Sequence, residues 1–410
     1  MSIKQVYSTL GGSGGRPLNQ GVTEYTTILS SFGSTVTNED LVTLYFRPNG
    51  GAFTNLSVYI SANTLDVAGT WRLRVNKANV NNSVSITAAT TGTFTDAVSS
   101  DTIAANDLIN YLYTAGAGTG SATMQHAEIV FNPTTNYRVY AGLNAAGKTA
   151  AINYLYTDNA NGSGQETDET IVQIKWRLAG TFKKLNCNVV TNTDVAARNL
   201  RLRVNAVNGN NVVSITALTT GFFEDTASTD VIVSGDAISF QIDQITAAST
   251  LLTAYHCVTF VPSSSTDSGS YGIGWDETST GQTRFSGIGS SMFAVNLTEA
   301  NIKTSVAFGW TASKLQVYVP INAASSAAST LDLRVNGVSS ALTVSITAAT
   351  TGEFSDLTNT VTGVSGDVLN YRIVNGGGGV LDTRARGMVM LETQAAAAVK
   401  IHPLMLMGVG

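Results

Sequence analysis

The residues able to do chemistry are few in this sequence of 410, and their spacing argues against a reaction centre. His126, His256 and His402 are the only histidines, and no two stand at the close interval by which one element presents paired ligands to a metal. HExxH, P-loop and GxSxG patterns are absent. The adjacent acids Glu39-Asp40 and Asp276-Glu277 would point to opposite sides of an extended chain, so neither pair can face one reacting centre as the two acids of a glycosidase do. They read as solvated turn residues. Asp96, Asp225 and Asp356 each bring one carboxylate to a turn where calcium wants several oxygens. Cys187 and Cys257 are too few for a disulfide framework or a zinc site, and Cys187 falls where Val58 and Val317 stand in related segments, so both read as small buried hydrophobes. No catalytic residue, cofactor or metal ligand is assigned, and the expectation is a protein that is not an enzyme.

Binding is the remaining chemistry, and two places could supply it. Trp275 beside Asp276, with Glu277, and the loop from Tyr154 to Glu169 have the aromatic and polar groups that a sugar-binding groove uses. Neither recurs along the chain. The second place is the end of the chain, where Ala395 to Ala398 lead into Val399, Ile401, Leu404, Met405, Leu406 and Met407. That stretch is too short to span a bilayer, and leaving it in water costs free energy. It is expected to dock on a partner or on another domain.

Composition narrows the partners. A net charge of −5 without clustered Lys and Arg provides no footprint for nucleic acid. With 12% charged residues against 43% hydrophobic, the surface must be covered mainly by Thr, Ser, Asn and Gly, which suits a protein in contact with other copies or partners. The first residues, Met1-Ser2-Ile3-Lys4-Gln5, lack the apolar core of a secretion signal, and no membrane span is foreseen.

The elements that must position these groups are written three times. Leu73-Arg74-Val75-Asn76, Val84-Ser85-Ile86-Thr87 with Gly92, Phe94 and Asp96, and Asp107 with Ile109 and Tyr111 return from Leu202 and again from Leu333, at periods of 129 and 131 residues. Such a period is a domain rather than a solenoid repeat. Period-two alternation, as at Leu56, Val58 and Ile60 or Trp71, Leu73 and Val75, predicts about seven or eight antiparallel strands per unit, closed as a two-sheet sandwich. Gly92, Gly221 and Gly352 should take positive φ at turns, and Asp107, Asp236 and Asp367 should bond backbone N–H groups before a strand. Arg74, Arg203 and Arg334 face away from the core and should make structural pairings. The expected division is an N-terminal arm at 1–20, jelly-roll-like sandwiches at 21–133, 134–262 and 263–394, and a docking tail at 395–410. Three like domains could wrap a pseudo-threefold point as one molecule or stack as a trimer of chains.

The third repeat, through Leu333-Arg334-Val335-Asn336-Gly337, Leu342-Thr343-Val344-Ser345-Ile346, Asn359-Thr360-Val361 and Gly366-Asp367-Val368-Leu369, resembles a β-sandwich unit of virion proteins in tailed bacteriophages. About 60 residues of each repeat carry the resemblance, and Lys77 and Ala206 depart from it by replacing the glycine after Asn, as Ala105-Asn106-Asp107 departs at the Gly-Asp pair. It implies a component of the particle such as a capsid decoration, head-fibre or tail-associated protein, without implying which. The expectation adopted is a capsid decoration or head-fibre protein that binds the major capsid protein or other virion proteins and its own copies, as a trimer or pseudo-trimer. The other reading is a tail-associated adhesin for host-surface glycans.

Overall fold

The computed structural model describes residues 4–10, 15–28, 36–46, 50–143, 151–157, 165–264, 268–288 and 297–393. Among the described residues strands take up 64% and helix 3%, so the expected all-β class is the observed one. The first unit contains β1 (Gln5–Leu10), β2 (Arg16–Asn19), β3 (Thr23–Thr26), β4 (Leu44–Phe46), β5 (Gly51–Asn63), β6 (Gly69–Val75), β7 (Ala78–Ile86), β8 (Gly92–Ile103), β9 (Asp107–Ala115) and β10 (Ser121–Pro133). One antiparallel sheet runs β1-β10-β5-β8, with β2 also on β10, and the other runs β3-β9-β6-β7, with β4 also on β9. Each sheet has five strands at four positions across, the two facing sheets of a jelly roll in which two short strands share one edge.

The second unit repeats the plan with β11 (Arg138–Leu143), β12 (Asn153–Leu155), β13 (Gln165–Glu166), the short helix α1 (Glu169–Val172), β14 (Ile174–Lys175), β15 (Gly180–Asn192), β16 (Arg198–Val204), β17 (Val207–Ile215), β18 (Gly221–Ile232), β19 (Ala237–Ile242) and β20 (Leu251–Pro262). Its sheets run β11-β20-β15-β18 and β13-β12-β19-β16-β17, with β14 on β19. The third contains β21 (Ser268–Thr278), β22 (Thr283–Ser286), β23 (Thr304–Ser305), β24 (Trp310–Val319), β25 (Ile321–Asn322), β26 (Ser329–Val335), β27 (Val338–Ile346), β28 (Gly352–Gly363), β29 (Val368–Val374) and β30 (Leu381–Glu392). Here the orders are β21-β30-β24-β28 and β22-β29-β26-β27.

One boundary differs from the expectation. The stretch set apart as an arm supplies β1 and β2, which pair with β10 in registers Gln5↔Phe131 and Arg16↔Met124. The physical reason is that β10 would otherwise have an open edge, and that Tyr7 and Leu18 are apolar and wholly buried. The Tyr7 ring lies among Phe46, Phe53 and Phe131.

Period-two alternation did put the right residues inside. Leu56, Val58, Ile60, Trp71 and Leu73 are all buried, as are Trp176 and Trp310. Gly92, Gly221 and Gly352 take φ of 122°, 112° and 117°, the region that only glycine enters freely. The hairpins between β6 and β7, β16 and β17, and β26 and β27 turn on two residues of positive φ, Asn76-Lys77, Asn205-Ala206 and Asn336-Gly337. This is the two-residue turn whose twist matches that of the strands, and glycine is preferred at its second place. Lys77 and Ala206 hold the same conformation with a Cβ, at φ of 62° and 61°. Ala206→Gly is therefore expected to raise the unfolding free energy by about 1 kcal/mol, read as a later transition in chemical denaturation; no gain would show the turn to be unstrained.

Candidate functional site

A polar feature common to all three units is an arginine clamped by a glutamate beside an aromatic ring. In the first, Arg74 donates Nε to Glu39 Oε1 at 2.6 Å and Nη2 to Oε2 at 3.3 Å. In the second, Arg203 reaches Glu169 at 2.9 and 2.7 Å. In the third, Arg334 reaches Glu299 at 2.6 and 3.0 Å. Each guanidinium also lies near a ring, Tyr25 at 5.7 Å, Tyr154 at 5.7 Å and Phe285 at 5.9 Å, and bonds the carbonyl of the second turn residue, Lys77, Ala206 or Gly337. The pairing expected of these arginines is present. Glu39 is not the solvated turn residue its adjacency to Asp40 suggested: its side chain is 12% exposed and clamped, because the strand places Arg74 directly beneath it. Bidentate charge-assisted bonds of this kind hold geometry as well as energy.

What the glutamates hold is the connector that touches the next unit. Glu39 begins a short 3-10 turn, Glu169 begins α1 and Glu299 begins a second 3-10 turn. Each segment is covered by the sheet of a neighbour, and the three contacts close a cycle. On the first connector, the Tyr45 N–H donates to Tyr255 Oη at 3.1 Å, Asn188 Nδ2 donates to the Asp40 carbonyl at 3.2 Å, and Tyr45 stacks on Phe222 at 3.9 Å. On the second, Gln316 Nε2 donates to the Lys175 carbonyl at 2.6 Å, Arg177 Nε donates to Gln316 Oε1 at 2.7 Å, and Arg177 pairs with Glu353. On the third, the Ser305 N–H donates to Glu128 Oε2 at 2.9 Å and Asn301 bonds His126 through its backbone. Second on first, third on second and first on third is a heterologous contact repeated until it closes.

The contacts are built at matching positions. Tyr45, Lys175 and Ser305 follow their clamped glutamates by six residues, and each is bonded through its backbone to the covering sheet. The apolar cores run across the same seams. Tyr255 and Cys257 pack in the first unit's core, Val389 in the second's and Val6 and Val130 in the third's. Clefts remain at two seams, one of about 290 Å³ lined by Thr170, Gln173, Gln316 and Tyr318, and one of about 400 Å³ lined by Asp40, Thr43, Asn188 and Phe222.

The groups singled out in the sequence fall as follows. The backbone of Trp275 and Asp276 lies on β21, Asp276 opposite Thr383, while their side chains lie outside the described residues, as do Leu404, Met405, Leu406 and Met407. Tyr154 stands over Arg203, and Glu169 is bound to that arginine, so both ends of the loop proposed for sugar belong to the clamp. Cys187 and Cys257 are buried and not joined in a disulfide. Asp107, Asp236 and Asp367 accept the backbone N–H of Ala104, Val233 and Val364 at 2.7, 2.8 and 2.7 Å, the turn role foreseen. Asp96 accepts from the N–H groups of Ser83, Val98 and Ser99. Among the described residues no group of three or more His, Cys, Asp or Glu could hold a metal. Sequence reading missed the glutamates and the rings of the clamp, although both recur near the domain period, Tyr25, Tyr154 and Phe285 included.

No family model matches the chain, and no curated protein matches it. Among solved structures it is similar to the major capsid protein P2 of Bacteriophage PM2, at 10% identity over 63% of this chain and 99% of that one, with a TM-score of 0.18. A chain from the atomic structure of Sulfolobus Turreted Icosahedral Virus is 11% identical over 86% of this chain and 83% of that one, at 0.21. The insecticidal delta-endotoxin Cry8Ea1 of Bacillus thuringiensis is 6% identical over 93% of this chain and 61% of that one, at 0.18. At such scores the likeness carries no weight for function.

The clamp has a pH signature. Burial alone would raise the Glu169 carboxyl, but hydrogen bonds from Arg203 and Ser239 outweigh it and hold the group below its ordinary 4.5. A carboxylate lowered by folding stabilises above its unfolded value, and that stabilisation is lost as pH falls through the folded one. Arg203→Met is expected to cost about 1–2 kcal/mol at neutral pH and to flatten the loss of stability on acidification below about pH 4.5. Urea melts at pH 7 and pH 3 would show it, and an unchanged acid slope would count against the clamp.

Proposed function

We propose that this chain is a structural component of a bacteriophage virion, a capsid decoration or head-fibre protein that works by shape and buried area. The observation that carries this reading is the closure of three jelly rolls into a cycle through sheet-on-connector contacts within one polypeptide. A cycle of three like domains presents three related outer surfaces about one axis, which matches a local threefold or sixfold position of a coat lattice. Closure inside a single chain favours a decoration block over a fibre wound from three chains. The phage setting comes from the sequence resemblance of the repeats. Among the described residues the polar groups that recur are consumed in the clamp and in turns, and no aromatic cleft is repeated as tandem lectins repeat theirs.

The partner is the major capsid protein, with the apolar end of the chain, Leu404 to Met407, as an attachment point. Deleting residues 395–410 is expected to lower incorporation into particles at least several-fold while far-UV circular dichroism stays unchanged; normal incorporation would remove the tail from the interface. Quantitative mass spectrometry of purified virions is expected to find copies on the order of hundreds, as lattice symmetry requires of a decoration. About a dozen copies or fewer, together with selective binding on a glycan array, would replace this reading with the adhesin.

A further inference from the structure

Two of the three seams join domains that are already tied by short linkers, from Pro133 at the end of β10 to Arg138 and from Pro262 at the end of β20 to Ser268. The third seam joins the first domain to the last, which no linker ties. Its noncovalent contacts among the described residues include Lys4 with Glu392 at 3.4 Å, the packing of Val6 and Val130 into the third core, and the seating of Ser305 and Asn301 on β10. This seam also differs in chemistry. Opposite Ser57 on β5 stands Glu128, where the other sheets put Cys257 opposite Asn186 and Gly387 opposite Gln316. Opposite Tyr59 stands His126, where the second sheet puts Tyr255 opposite Asn188. We propose that the contact between the first and third domains is the seam at which the cycle opens, and that ionisation of Glu128 drives the opening.

The groups around Glu128 make this a sensitive position. The residue is 4% exposed, and its carboxyl meets two neutral donors, the Ser305 N–H at 2.9 Å and the Ser57 hydroxyl at 3.4 Å. From its own strand His126 lies two residues away, stacked on Tyr59 at 5.4 Å, with Lys303 of the third domain beside that imidazole. The buried Tyr111 of β9 lies close enough for the carboxylate to disfavour its ionisation further. No ion pair to Glu128 is formed among the described residues. A charge in such a place is disfavoured, and burial, against the bonds from Ser305 and Ser57, pushes Glu128 up to about 8 from 4.5. Burial pushes His126 down to about 4 from 6.5.

The signs combine into a window. Opening returns both groups to water and to their ordinary values. Glu128, raised in the closed form, weakens closure as pH rises from 4.5 to about 8. His126, lowered in the closed form, weakens closure as pH falls from 6.5 to about 4. Between 4.5 and 6.5 the two trends offset, so closure is strongest and nearly level there. Above 6.5 only the Glu128 trend remains, and the closing equilibrium should drop roughly tenfold or more by pH 8.5.

Hydrogen exchange on the full chain tests this, with rates corrected for intrinsic pH dependence. Protection of the segment containing the Ser305 amide is expected to fall roughly tenfold from pH 6.5 to 8.5, while the segments containing Tyr45 and Lys175, at the linked seams, keep theirs. The near-isosteric Glu128→Gln should abolish the fall. Equal losses at all three seams, no loss at Ser305, or the same loss in the variant would overturn the proposal. The comparison among the three seams of the unmodified protein stands even if the variant fails to fold.

Discussion

Everything outward of the three cores depends on the bond between an arginine on one strand and a glutamate at the start of a connector. Arg74, Arg203 and Arg334 stand on strands whose inward residues pack the sandwich, so their positions are set by the hydrophobic pattern. Glu39, Glu169 and Glu299 stand at the start of connectors that bury one apolar residue each, Val42, Val172 and Ile302, and pair briefly with the sheet through β4, β14 and β23; the bidentate bond fixes the polar end of each connector to that sheet. Both partners are largely but not wholly withdrawn from water. Much of the desolvation of each guanidinium is offset by further bonds to the turn carbonyl and by the ring beside it. The clamp thus converts a core position into a surface position, and the next domain lands on that surface.

From this constraint the cycle follows, and its seams are free to diverge. A ring of identical chains must use one self-consistent interface, but three domains in one polypeptide each occur once. The seams accordingly share a geometry and not a chemistry. One stacks Tyr45 on Phe222, one builds a polar cluster from Arg177, Gln316 and Glu353, and one buries Glu128 against a backbone N–H. Different chemistry at each seam penalises wrong pairings among the domains, so the order around the cycle is specified as well as its closure.

The same divergence appears inside the sandwiches. In the first, Asn82 and Asp101 form a buried pair bonded at 2.6 Å, and Asn211 with Asp230 repeat it in the second at 2.7 Å. In the third, Leu342 and Val361 occupy those places as apolar packing. A buried polar pair bonded to each other and to nearby backbone, and an apolar pair in the same places, are alternative solutions to one site. The third repeat therefore keeps the fold while losing a feature that the first two share.

Much of this was legible in the order of residues. Alternation placed Trp71, Leu73 and their counterparts inward, the repeats set the number of domains, and Asn-Gly at 336–337 announced the hairpin whose twist Lys77 and Ala206 also adopt. The outward arginines implied partners, because a charge beside a core is rarely left bare. Their glutamates carried a signal too, recurring near the domain period, but adjacency to Asp40 made Glu39 look solvated. Local pattern decides which face of a strand is buried, since side chains alternate with period two whatever lies elsewhere. It cannot decide which domain covers which connector, because that depends on surfaces more than 100 residues apart meeting at one height. Strands β1 and β2 took their place only because β10 offered an edge, and Glu128 became a buried acid only because the last domain closed over the first. Sequence by itself determined three sandwiches and their inward faces; tertiary structure alone decided that they form a cycle, and where that cycle carries its buried acid.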